Sequence, residues 1–184
     1  MSRWDDELER IPWGDLRLSS GDASKVPAAL RKLAQSPSRD EGLNAYWELD
    51  NSIVIQGRLF QAAEFVVPFV LDLALGAVDH VRELALELLI QLAAGQPDPS
   101  EISAGNTELG DLCRTTIRAG LASYYLFLDS SNDEFRDRAL ELIDFVEQDA
   151  DRKLWIMRWV EKHDPNPKIR KLAEKLARQT KISP

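Results

Sequence analysis

Apolar residues along this chain recur every three or four positions, and the strongest stripes open in the same way. Asp79-His80-Val81-Arg82-Glu83-Leu84-Ala85-Leu86-Glu87-Leu88-Leu89 is answered by Asp133-Glu134-Phe135-Arg136-Asp137-Arg138-Ala139-Leu140-Glu141-Leu142-Ile143. A thinner copy reads Lys168-Ile169-Arg170-Lys171-Leu172-Ala173-Glu174-Lys175-Leu176. Val81, Leu84, Ala85, Leu88 and Leu89 fall on one side of a 3.6-residue helix, as do Phe135, Ala139, Leu142, Ile143 and Val146, so both sets are expected to face a core. Self-similarity at a spacing of a few tens of residues marks stacked helical pairs, each too small to bury its own apolar face.

The rest of the chain is divided by the same periodicity and by its turn residues. A cap is expected over 1–20, holding Trp4, Leu8, Ile11, Trp13 and Leu16, followed by helical pairs over 22–50, 57–95, 107–149 and 151–180, in a single domain spanning 1–184. The first pair starts after Gly21-Asp22, with Asp22 or Ser24 as cap and Pro27 in the first turn, where a missing N–H is harmless. Ser36-Pro37-Ser38 breaks it, and a second helix over 40–49 ends in a turn at Asp50-Asn51-Ser52. Ile53-Val54-Ile55 is β-branched, but with no evident strand partner it reads as helix or extended linker. The apolar run over 58–75 is a helix that Pro68 kinks or restarts. Asp79 caps the next helix and Gly95 ends it. Residues 96–106, with two prolines, two serines and Gly105, read as a loop. Helices follow over 108–128, 133–148, 151–163 and 168–178, the last two split by Asp164-Pro165-Asn166-Pro167.

In each copy the arginine (Arg82, Arg136, Arg170) is followed three positions on by alanine and then by leucines. This pattern resembles the second helix of HEAT-type repeats. The resemblance covers the last two-thirds of the chain; in the first fifty residues the helix over 40–49 shares little more than Ala45 and Leu49 with it. It implies an all-α fold, an α-solenoid of about four stacked antiparallel helical pairs with an N-terminal cap, whose second helices line a concave face. Some small bacterial HEAT-like proteins resemble immunity proteins that neutralise a toxin made by the same cell, and that analogy sets one functional expectation.

Composition narrows the classes. Hydrophobic content of 44% and charged content of 29% are those of an ordinary soluble globular protein. No apolar run approaches the roughly 18–20 residues of a membrane span, and the start lacks an apolar signal core. A single cysteine, Cys113, makes no internal disulfide or zinc site, which favours the cytoplasm, and in its helix it reads as a small buried hydrophobe. A net charge of −8 weighs against general nucleic-acid binding. The sum conceals a polarity: residues 129–151 hold nine acidic and two basic side chains, and residues 152–184 ten basic and three acidic. Either neighbouring repeats neutralise each other, or the contrast steers a charged partner or a second copy.

Chemistry is then placed by face. Glu83/Glu87 and Asp137/Glu141 are i,i+4 pairs opposite the apolar stripes, and in stacked repeats they would form an acidic column extended by Asp144, Glu48 and Asp50. Arg82, Arg136 and Arg170 are expected to pair with an acid of a neighbouring repeat. Adjacent Tyr46 and Trp47 cannot both face inward, so one is expected to reach a partner. Trp155 and Trp159, four apart beside Ile156 and Val160, are expected in the core. No Gly-x-Ser-x-Gly elbow, Gly-rich phosphate loop or His/Cys ligand spacing occurs; His80 and His163 stand alone near helix ends. The expectation is a non-enzymatic cytoplasmic scaffold, without catalytic, cofactor or metal residues. It would hold a protein with a basic surface, such as a toxin, on an acidic concave face made of Glu83, Glu87, Asp137, Glu141, Asp144, Glu48 and Asp50 with Tyr46 and Trp47. Self-assembly through the opposite charges is the alternative. A nucleic-acid role for Lys168, Arg170, Lys171, Lys175 and Arg178 ranks below it.

Overall fold

The repeated stripes do become helices that bury what the periodicity says they bury. In the computed structural model, which describes residues 3–180, the chain is all-α apart from three two-residue strands. It divides between Ile117 and Arg118 into two compact units. The first contains α1 (Arg3–Glu9), a 3₁₀ turn (Trp13–Asp15), α2 (Val26–Ala34), α3 (Arg39–Ile53), β1 (Val54–Ile55), β2 (Arg58–Leu59), α4 (Ala62–Gly76), α5 (Asp79–Ala94), β3 (Gln96–Pro97), α6 (Pro99–Ser103) and α7 (Leu109–Ile117). There α2 packs on α3, α4 on α5, and α5 also on α3 and α7. The second contains a 3₁₀ turn (Arg118–Gly120), α8 (Leu121–Phe127), α9 (Asp133–Val146), α10 (Ala150–His163) and α11 (Pro167–Thr180). In it α8 packs on α9 and α10 on α11.

Val81, Leu84, Ala85, Leu88 and Leu89 of α5 are buried, as are Phe135, Ala139, Leu142, Ile143 and Val146 of α9. Each large side chain taken fully out of water contributes about 1.5–3 kcal/mol, so these stripes fix which way both helices face. In the N-terminal segment Leu8, Trp13 and Leu16 are buried, and the Trp13 indole N–H donates to the Leu8 carbonyl at 2.7 Å.

Several boundaries differ from the sequence reading, each for a local reason. Helix α3 runs through Asp50-Asn51-Ser52 instead of turning there, because Leu49 and Ile53, one turn apart, are both fully buried and extend the stripe. Its start follows the capping-box spacing, with the Glu41 N–H donating to Ser38 Oγ at 3.4 Å. Val54–Ile55 does have a strand partner two residues away. It pairs antiparallel with Arg58–Leu59 around Gln56-Gly57, whose φ values of 51° and 75° suit a tight two-residue hairpin turn. The other edge of β2 pairs in parallel with Gln96–Pro97. Thus residues 58–59 are strand, and the helix containing Pro68 begins only at Ala62.

The helix N-cap before α5 is Val78, with Asp79 the first helical residue, and the cap of α2 is Lys25 while Asp22 accepts from the Ser24 N–H. Gly95 does follow α5, but in an extended conformation (φ −67°, ψ 152°) instead of the left-handed one. Its requirement is space: a Cβ there would lie 2.5 Å from Leu59 Cδ2 and 2.6 Å from Leu59 Cγ. The expected loop over 96–106 carries β3 and α6, the latter capped by Asp98 on the Ser100 N–H. The helix expected over 108–128 is interrupted by the 3₁₀ turn Arg118–Gly120.

Arginines close helix ends. Arg114 donates to the carbonyls of Ala93 (3.0 Å) and Gly95 (3.4 Å) after α5, Arg118 to that of Val146 after α9, and Arg170 to those of Asp164 and Pro165 after α10. A cation against these carbonyls answers both their missing donors and the negative end of the helix dipole. Arg136 is the buried member of the recurring set. It meets Asp164 at 2.9 Å, Asp133 at 2.6 Å and the Ser130 carbonyl at 2.8 Å, locking the start of α9 to the α10–α11 connection.

Removing a single partner of such a pair leaves a buried charge. Arg136→Ala is expected to destabilise by about 3–5 kcal/mol in urea unfolding, whereas Arg178→Ala, in a solvent-exposed pair with Glu174, costs less than about 1 kcal/mol. Gly95→Ala, forced against buried Leu59, is expected to lose about 1–3 kcal/mol in the same assay.

Candidate functional site

In the first unit the predicted residues come from two packed helices: α3 supplies Tyr46, Trp47, Glu48 and Asp50, and α5 supplies Glu83 and Glu87. Of the adjacent aromatics, Tyr46 turns inward and is buried, while Trp47 keeps 49% of its surface exposed. Their rings meet edge to face with centroids 5.0 Å apart. The Tyr46 hydroxyl donates to the half-buried Asp50 carboxylate. Burial raises the Asp50 pKa above the ordinary carboxylate range and the negative charge of Glu87 adds to it, with the Tyr46 hydrogen bond opposing. Glu87 in turn accepts from Gln91 Nε2 at 3.3 Å. The helix packing has therefore placed two carboxylates within each other's field.

The other two predicted acids of this unit, Glu83 and Glu48, are committed to ion pairs. Glu83, with only 16% of its side chain exposed, meets Arg39 Nη2 at 2.8 Å, and Glu48 pairs with Lys32. In the second unit Asp137 and Glu141 are both half-buried on α9. Asp144, also expected in the acidic set, pairs with Lys153 at 3.6 Å; burial raises its pKa although the lysine pulls the other way. The two i,i+4 carboxylate pairs thus belong to different units, and the residues that the structure gathers around one point are Tyr46, Asp50 and Glu87, beside Trp47.

Two features escape the sequence reading. Glu101, from the segment read as a loop, has 1% of its side chain exposed and is gripped by Arg17 (Nη2–Oε2 2.6 Å, Nε–Oε1 3.2 Å) and by Asn106 Nδ2 at 2.6 Å. Burial pushes its pKa up, but Arg17, Asn106 and the Gln61 N–H together hold it below the usual value. Nothing in its neighbours, Ser100 and Ile102, announces this; only the distant partner Arg17 gives the residue its role.

Trp155 and Trp159 are the second feature, and they correct the expectation that they lie in the core. Helix α10 buries Ile156, Met157 and Val160, and the tryptophans, one position earlier on the helical wheel, stay 65% and 39% exposed. The partner helix α11 buries Ile169, Ala173, Leu176 and Ala177 and packs on α10 and on α9. Cys113 is fully buried and its thiol is pushed up to about 12 by burial, so it sits as a protonated apolar side chain.

Among the described residues no group of three or more His, Cys, Asp or Glu is arranged to hold a metal ion, and no helix is long and apolar enough to cross a membrane. Compared with family models, curated proteins and solved structures, the chain gives no match.

The Asp50 environment yields a pH test. Its folded pKa lies above the unfolded value, so the ionised form weakens the fold above that pKa, and the penalty disappears as pH falls through it. Asp50→Asn is expected to melt higher than the wild type at pH 7, with the gap closing as the pH falls through the carboxylate range near about 4. Thermal melts across that range read it out.

Proposed function

We propose that this protein is a non-enzymatic binding scaffold of the HEAT-like solenoid type, which takes a basic protein on the α3–α5 face of its first unit. The observation that carries the reading is the pair of half-buried carboxylates Asp50 and Glu87 on the packed helices α3 and α5, with exposed Trp47 on the same helix as Asp50. Two neighbouring carboxylates form a negative point that favours a lysine or arginine from a partner. Trp47 adjoining them offers the large, rigid, amphipathic contact typical of interface anchors. Charge complementarity of this kind speeds encounter and selects partners more than it adds raw affinity. The pairing of neighbouring helices, α2 with α3, α4 with α5, α8 with α9 and α10 with α11, supports the solenoid reading. In its sharper form the protein is a cytoplasmic immunity protein whose acidic face blocks the basic active site of a cognate toxin.

The test is affinity capture from native lysate followed by titration of the purified partner, with wild type against Trp47→Ala and Glu87→Lys. A basic partner is expected, its affinity falling by at least about tenfold in each variant and weakening with salt, as circular dichroism stays helical. Equal binding to wild type and both variants, or a partner whose affinity ignores salt, would defeat this assignment. Inhibition of the captured partner's own activity separates an immunity protein from a passive scaffold.

A further inference from the structure

The outward side of α10 carries a surface of the opposite chemistry. Trp155 and Trp159 stand one turn apart, about 6 Å along the helix axis, with Arg152 before them, Arg158 between them and Lys162 beyond. Among the described residues neither indole N–H has a hydrogen-bond partner and Lys162 has no ion pair. Arg158 pairs with Glu161 at 2.6 Å. Arg152 lies over the Tyr125 ring, 4.4 Å from its centroid, with Glu147 3.8 Å from its Nε. This side therefore offers two apolar rings, indole and ammonium donors and guanidinium groups; its acids are Glu147, Asp149 and Asp151 at one end, with Glu147 beside Arg152, and Glu161, paired with Arg158, towards the other.

We propose that this side of α10 is a docking surface for an acidic segment of another protein, one with two apolar side chains two residues apart and aspartate or glutamate next to them on the same side. The match is both geometric and electrostatic. In an extended segment, side chains two residues apart lie on one side about 6.5–7 Å from each other, close to the spacing of the two tryptophans. From Arg152 to Lys162 the helix rises about 15 Å, the length of four or five extended residues. Two apolar residues on that side then cover Trp155 and Trp159, and an acid two residues beyond them on the same side meets Lys162, while the residues between point to solvent. A short segment needs only this stripe. A nucleic acid or an anionic bilayer, being charged well beyond the stripe, would also meet the field of a chain whose net charge is −8. The surface belongs to the second unit and shares no residue with the α3–α5 face, and the proposal does not rest on the function assigned to that face.

The experiment is selection of random linear peptides on the whole chain, followed by titration of the winners against wild type, Trp155→Ala/Trp159→Ala and Lys162→Glu. Intrinsic tryptophan fluorescence serves as the signal for wild type and Lys162→Glu, and anisotropy of labelled peptide for all three. Because both tryptophans are exposed, the double variant is expected to keep its helicity and melting temperature. Enrichment of acidic–apolar peptides that blue-shift the tryptophan emission, and lose at least about tenfold in affinity in both variants, is the expected result. Enriched peptides without acidic residues, binding that survives the tryptophan substitutions, or no enrichment overturns the proposal. Two further outcomes also overturn it: an oligothymidylate that binds this face more tightly than any selected peptide, or sedimentation showing that the tryptophans hold two copies of the chain together.

Discussion

A helix of fourteen to sixteen residues with one apolar stripe is unstable in water, and most of this molecule follows from that. Isolated helices of such length are marginal even in favourable sequences. The stripe of α5 is buried among α3, α4 and α7, and that of α9 packs on α8 and receives further cover from α10 and α11. Burial of the stripe dictates which residues remain on the other side, so the placement of Glu83 and Glu87 outside the core is a consequence of where Leu84 and Leu88 go. The same logic sets the side chains of α10: Ile156 and Val160 take the interior, and adjacent Trp155 and Trp159 are left on the flank.

Packing of stripes orients helices but does not say where they stop or how their ends are satisfied, and here ionic groups take over. Arg114, Arg118 and Arg170 each reach carbonyls at the C-terminal side of a helix, where backbone acceptors lack partners. Arg136 and Arg17 instead meet buried carboxylates, Asp164 and Glu101. Such buried pairs add little net stability over well-packed apolar residues, but they tolerate few alternative partners. The Arg17–Glu101 pair joins the N-terminal segment to a stretch of chain that has no large apolar stripe with which to anchor itself.

Periodic features were legible in the sequence, and features made by distant partners were not. The stripes of α5 and α9, the inward position of Cys113 and the division of labour between Tyr46 and Trp47 all follow from local spacing. The strand character of Val54–Ile55 depends on a turn whose Gln56 adopts positive φ, an uncommon conformation for that residue type. Pairing with Gln96–Pro97 cannot be read from either segment alone. Glu101 looks like any polar loop residue until Arg17 is beside it. For the candidate site, the carboxylates were visible on their helix faces. Which of them meet each other, and which are taken up by Arg39, Lys32 or Lys153, is decided by tertiary packing.

The small sheet has one further effect on the helices it accompanies. Strand β2 enters the α4–α5 pair and β3 leaves it, and the two are hydrogen-bonded in register, Gln96 N–H to the Gly57 carbonyl at 2.9 Å and Asp98 N–H to the Leu59 carbonyl at 3.0 Å. The pair is therefore a closed loop of chain whose two ends lie side by side. Closing such a loop costs entropy once, and the cost grows only slowly with its length. The length of chain between the two strands can therefore change at small entropic cost while its points of attachment stay the same.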